Sequence, residues 1–151
     1  INYVFNWLFA AKIGKVIGKV GERNILVFEY IGLFVLFIAY GLVEDGRLAA
    51  VLYVVDHLFF ALAIAIKTYF QKIANPEDIA ATAGVSFSIN HIAAVVIPAL
   101  LGMLWIISSS WVFFIGAGFA LCSLVLSSMI PDKPQQGVEL RHMEKKLATT
   151  P

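Results

Sequence analysis

The chain has 151 residues, 60% of them hydrophobic and 14% charged, against the roughly 25% charged residues of a typical soluble domain. With a mean hydropathy of +0.86, it carries too much apolar surface for an ordinary soluble globule. The net charge is only +1, and no nucleic-acid partner is expected.

In chain order, Ile1–Ala11 is apolar but too short to cross a bilayer alone. It reads either as the end of a truncated span or as an interfacial helix anchored by Tyr3 and Trp7. No initiator Met and no charged segment ahead of an apolar core is present, so further sequence upstream is expected. Lys12–Asn24 is basic and punctuated by Gly14, Gly18 and Gly21, which suits a tight connection between spans. A phosphate-cradling loop would need a strand before it and a helix after it in a soluble unit, and that context is missing.

Residues 25–43 form the first full span, with Glu29 near its start and expected to pair with a cation of the basic loop. Glu44-Asp45-Gly46-Arg47 is a polar turn. Residues 48–66 form the second span, continuing as helix to about Ala74, with Lys67 snorkelling to the interface. Asp56 and His57 stand at its middle, about 12 Å below its outer end at ~1.5 Å per residue. A charged side chain at that depth costs about 2.5–3.5 kcal/mol on insertion scales, so it normally faces protein or a wet cavity.

Asn75-Pro76-Glu77-Asp78 reads as a helix start, with Asn75 as cap and Pro76 in the first turn. The helix that follows, 79–107, is long, and Pro98 should kink it. It carries Asn90 and His91 near the midplane. Gly84, Ser88, His91, Ala94, Pro98 and Gly102 fall on one stripe suited to close approach of another helix. Trp105 and Trp111 bracket a serine turn as interfacial anchors, and 111–130 is the last span. Cys122, the only cysteine, excludes an intrachain disulfide and a thiolate metal cluster. Pro131–Pro151 is a polar tail, expected to be mobile apart from a short helix near Val138–Leu147.

The organisation is therefore a loop region at 1–24, a membrane region at 25–130 and a tail at 131–151. If loops alternate sides, Lys12, Lys15, Lys19, Arg23, Lys67, Lys72, Lys133, Arg141, Lys145 and Lys146 share one side, and only Arg47 lies on the other. By the positive-inside rule the crowded side, with both ends of this segment, is cytoplasmic. The expected fold is all-α and integral to a membrane, with four transmembrane helices.

The segment Gly14-Lys15-Val16-Ile17-Gly18-Lys19-Val20-Gly21-Glu22-Arg23-Asn24-Ile25-Leu26 resembles the cytoplasmic loop motif of the major facilitator superfamily, roughly Gly-x-Leu-Ala-Asp-Arg-x-Gly-Arg-Arg-x-x-Leu. Gly14, Lys19, Gly21, Arg23 and Leu26 match in kind and spacing, while Gly18 stands where the motif has Asp. The resemblance therefore carries over no charge lock from that carboxylate. Family members have twelve spans in two six-helix halves, and the loop recurs between helices eight and nine. The resemblance implies that this chain is the end of helix eight, then helices nine to twelve, with ten and eleven lining the central cavity and nine and twelve outside.

It also implies a secondary transporter of a small-molecule solute. The partners would be the lipid bilayer and the missing N-terminal helices, and the place a multi-pass plasma membrane, the bacterial inner membrane. It implies no enzyme activity and no cofactor. Asp56 is a candidate for proton coupling or substrate binding, or else a structural partner of His57 or Tyr53. His57 and His91 suit a proton relay, substrate binding or interhelical hydrogen bonds; Asn90 suits helix orientation, and Tyr53 shares the face of Asp56 and His57. Three rival readings exist: a b-type haem held by His57 and His91, a metal-dependent intramembrane enzyme using Asp56, His57 and His91, and a small dimeric four-span exporter.

Overall fold

The computed structural model describes residues 14–136 and 138–149. The segment Ile1–Ala11, read above as a truncated span or interfacial helix, lies outside the described residues, as do Lys12 and the last two residues. After a helical stretch at 14–20, six further α-helices follow in order among the described residues: α1 (Glu22–Leu42), α2 (Gly46–Phe60), α3 (Ile64–Ile73), α4 (Ile79–Ile107), α5 (Ser109–Ser128) and α6 (Arg141–Thr149). A 3₁₀ turn, Ala61–Ala63, joins α2 to α3. No strand forms among the described residues beyond an isolated bridge between Gln135 and Val138.

Four stretches are long and apolar enough to cross a membrane: α1, α2 through α3 (Gly46–Ile73), α4 and α5. They correspond to the four expected spans and suggest a multi-pass membrane protein. The boundaries move slightly. The first helix starts at Glu22, not residue 25, and the last at Ser109, not 111.

The connections follow from local chemistry. Residues 14–20 are helical, where a tight glycine-punctuated loop was expected. Of the three glycines there, only Gly21 has a positive φ, 91°. That conformation is cheap for glycine alone, and it lets the chain leave one helical stretch and begin α1. Val43 ends α1 in extended backbone, its N–H donating to Ala39 O. Asp45 then caps α2, its carboxylate accepting from Arg47 N at 2.6 Å, which satisfies one of the free donors of the first turn.

The start of α4 differs from expectation. Asn75, Pro76 and Glu77 make a turn ahead of the helix, Asp78 N–H donating to Asn75 O at 3.0 Å, and Asp78 occupies the cap position. The helix runs through Pro98 and ends at Ser108, the single extended residue before α5. At 29 residues it is about 43 Å long, more than a ~30 Å hydrocarbon core requires, so its ends reach the headgroups or it tilts.

Packing centres on α1. Its main partner is α5, and α2 with α3 cover a second side. Small residues permit the close approach: Ala117 and Ala120 of α5 are buried, and the Phe37 ring lies 3.5 Å from where a Cβ on Gly116 would stand. A Cβ on Gly32 would collide with the Phe59 ring, and one on Gly41 with Phe114. Tyr40 stacks on Phe113 at 4.9 Å, and Trp105 meets Phe113 edge-on at 5.7 Å. By contrast α2 and α4 bury no residue. The expected small-residue stripe on α4 meets no neighbouring helix here, since Gly84 and Gly102 stand in open space.

Candidate functional site

Two groups of polar side chains stand out. The first lies at mid-span. Asp56 is ten residues past the start of α2, about 15 Å down the helix. His57 Nδ1–H donates to Tyr53 O at 2.9 Å, and the two rings sit 4.2 Å apart. That bond is the one an imidazole makes with the carbonyl one turn back, and it leaves Nε2 available. Asp56 is half-buried and takes no part in it. On α4, His91 makes the same ring contact with Phe87 one turn earlier, centroids again 4.2 Å apart. Asn90 and His91 are exposed, and Ser88 Oγ donates back to Gly84 O at 3.1 Å.

The structure does not bring the two sets together, because α2 and α4 are not packed on each other to any extent. Among the described residues no three His, Cys, Asp or Glu side chains gather as metal ligands would. Asp56, His57 and His91 thus form no ligand set within this chain. Tyr53 is exposed on the same helix.

The second group lies at the basic end of the bundle, where 14–24, the α3–α4 turn and the tail meet. Arg23 Nη1 pairs with Asp132 Oδ1 at 2.7 Å, and its Nε donates to Ser128 O at the end of α5 at 3.3 Å. Arg141 Nε approaches the other oxygen, Asp132 Oδ2, at 3.9 Å. Glu144 holds the tail by accepting from Asp132 N (2.9 Å) and Lys133 N (3.2 Å). Tyr69 Oη donates to Glu139 O at 2.5 Å, and Gln136 Nε2 to Ala74 O at 3.2 Å. Beneath this layer Ile17, Ile25, Leu26, Ala65 and Ile130 form a buried cluster.

The tail is therefore a strap across the bundle end over 131–136 and 138–149, where mobility was expected. Its helix begins three residues later than Val138. A second expectation is corrected nearby. Glu29 was expected to take a loop cation, yet it is 3% exposed and its Oε2 has no hydrogen-bond partner among the described residues. The ion pair forms two helical turns earlier, between Glu22 and Lys72 of α3 at 2.6 Å.

Of the loop residues, Arg23 enters the clasp directly and Gly21 sets the backbone turn, while Gly14, Gly18 and Lys19 are exposed. Sequence reasoning missed Glu22, Lys72, Asp132 and Glu144. The available signal was opposite charge just outside neighbouring antiparallel spans. No family model, curated protein or solved structure matches the chain.

Proposed function

We propose that this chain is the C-terminal portion of a facilitator-type secondary transporter that moves a small solute by alternating access. One observation carries the reading. The two helices that hold the mid-span polar groups, α2 and α4, bury no residue, while α1 and α5 pack on each other. That division is the one expected if α2 and α4 line a cavity whose other walls lie on further helices and α1 and α5 stand outside. Polar groups at mid-depth are costly against lipid, which favours a protein or aqueous neighbour for Asp56, Asn90 and His91.

In this reading the two halves rock about the mid-span site. Asp56 binds a proton or a polar group of the solute. His57 and His91 offer ring nitrogens for a relay or for solute contact, Asn90 orients the helices, and Tyr53 borders the cavity. The clasp of Arg23, Ser128 and Asp132 ties the loop motif to the last helix, on the side taken as cytoplasmic because ten of the eleven Lys and Arg residues fall there. The plasma membrane of a bacterium is the proposed location. The haem and metal-enzyme readings need His57 and His91 on closely packed helices, and the absence of substantial packing between α2 and α4 favours the transporter over them.

The test is the hydropathy of the coding sequence upstream of Ile1. About eight further spans, with another glycine-basic loop after the second, would support the transporter. A start codon beside Ile1 with nothing membrane-spanning ahead of it would sink it.

A further inference from the structure

A cavity of about 260 Å³ opens at the basic end of α5, lined by Ser128, Met129, Arg141, His142 and Lys145. Three of its five walls are cationic or potentially cationic side chains, and its floor is the end of a membrane-spanning helix. Arg141 is incompletely neutralised. Its Nε is buried and donates no hydrogen bond. The carboxylate that faces it, Asp132, stands 3.9 Å away and is already engaged by Arg23 at 2.7 Å. Two guanidinium groups thus share one carboxylate. The other nearby acid, Glu144, is held by the backbone N–H groups of Asp132 and Lys133.

The apolar side of the cavity is equally informative. Met129 lines it, and Val125 and Leu126, in the last turn of α5, are exposed directly along the helix. A ligand that satisfied both halves would be an anion carrying an apolar chain. A guanidinium with spare donors favours a phosphate oxygen, which it can meet in a forked geometry, and basic pockets at the cytoplasmic ends of membrane helices suit lipid headgroups. We propose that this cavity is a binding site for the phosphate of an anionic phospholipid headgroup. Arg141 supplies the forked contact, His142 and Lys145 supply further positive charge, and the acyl chains run along Val125 and Leu126. The site lies outside the mid-span groups and belongs to the strap that closes the bundle end. It rests on membrane placement and not on transport, so a failed transport assay leaves it standing.

The test is native mass spectrometry of the purified full chain in non-ionic detergent, with equimolar phosphatidylglycerol and phosphatidylcholine. The wild type should retain phosphatidylglycerol preferentially. Arg141→Gln/Lys145→Gln should reduce that preference about tenfold or more, since each Lys or Arg at an anionic surface is worth roughly fivefold. Lys19→Gln/Lys67→Gln removes the same charge from exposed positions at the same end and should keep the preference within about twofold. Equal retention of the two lipids by the wild type, or an equal loss in both variants, would overturn the site. Millimolar inorganic phosphate is the second arm. If it raises the wild-type melting temperature through Arg141 while phosphatidylglycerol shows no preference, the lipid occupant is refuted in favour of a free anion.

Discussion

The Glu22–Lys72 pair makes a demanding prediction because its two ends sit in different surroundings. Glu22 is 3% exposed, whereas the Lys72 side chain is 48% exposed, and their polar atoms meet at 2.6 Å. Lys72→Met removes the cation and keeps the stem that lies along α3. It leaves a buried carboxylate with its counter-charge gone. Breaking a fully buried pair from one side costs about 3–5 kcal/mol, and an exposed pair is worth only about 0–1 kcal/mol. With one buried and one half-exposed partner, the single variant should lose about 2 kcal/mol. For a chain of this length 1 kcal/mol moves the midpoint by roughly 2–4 °C, so the melting temperature in detergent should fall by about 4–8 °C. Adding Glu22→Gln to Lys72→Met removes the stranded charge, and the double variant should recover at least about half of the loss. The readout is thermal unfolding followed by near-ultraviolet circular dichroism. A Lys72→Met protein that melts with the wild type, or a double variant that melts lower than the single by the full Glu22→Gln effect, would refute the coupling.

Three further outcomes are expected. Gly21→Ala should cost about 1–3 kcal/mol, because φ 91° and ψ 146° lie in a region essentially kept for glycine while open space surrounds the new methyl; a melting curve that does not move would show that the turn relaxes freely. Gly41→Ala drives a methyl into the Phe114 ring and should cost about 1–3 kcal/mol, whereas Gly84→Ala meets nothing in this chain and, lying inside α4, should raise stability by about 0.5–1 kcal/mol. Equal shifts for the two would contradict the packing of α1 against α5. Under the proposed transporter reading, Asp56→Asn in the full-length protein should abolish proton-coupled solute flux with insertion and folding intact. Wild-type coupling measured in proteoliposomes under a pH gradient would remove Asp56 from the coupling role.

Much of the fold was legible because the bilayer leaves few solutions. A run such as Leu48–Ile66 must satisfy its own backbone, and a helix does so at any position within it. The four spans and the depth of Asp56 and His91 therefore follow from counting. Asp45 was readable as part of a turn because its side chain acts on an amide two residues away. Interactions of that range are written in adjacent letters.

The basic end was not legible in the same way. Arg23 and Asp132 are 109 residues apart, and Glu22 and Lys72 meet across two helices. Several carboxylates and cations of equal chemical merit stand near those ends. Glu29 looked as suitable as Glu22. The two stand seven residues apart on nearly the same face of α1, and both are buried, so position along the helix and not its rotation separates the one that takes Lys72 from the one whose Oε2 has no hydrogen bond. The tail behaved alike. Its polar composition suggested mobility, yet Glu144 folds the tail on itself through Asp132 N and Lys133 N, and the Glu139 carbonyl accepts from Tyr69 only because α3 and the tail converge.

The sequence by itself determined the four helices long and apolar enough to cross a membrane and the place of the polar groups along them, since hydropathy and helical rise act along the chain. The tertiary structure alone decided which helices pack, which carboxylate holds which cation, and that α2 and α4 keep their polar faces uncovered. The reason is physical: within an apolar bundle one side chain is nearly as hydrophobic as another, so register and rotation are set by where small residues admit a neighbour's ring, as Gly32 faces Phe59 and Gly116 admits Phe37.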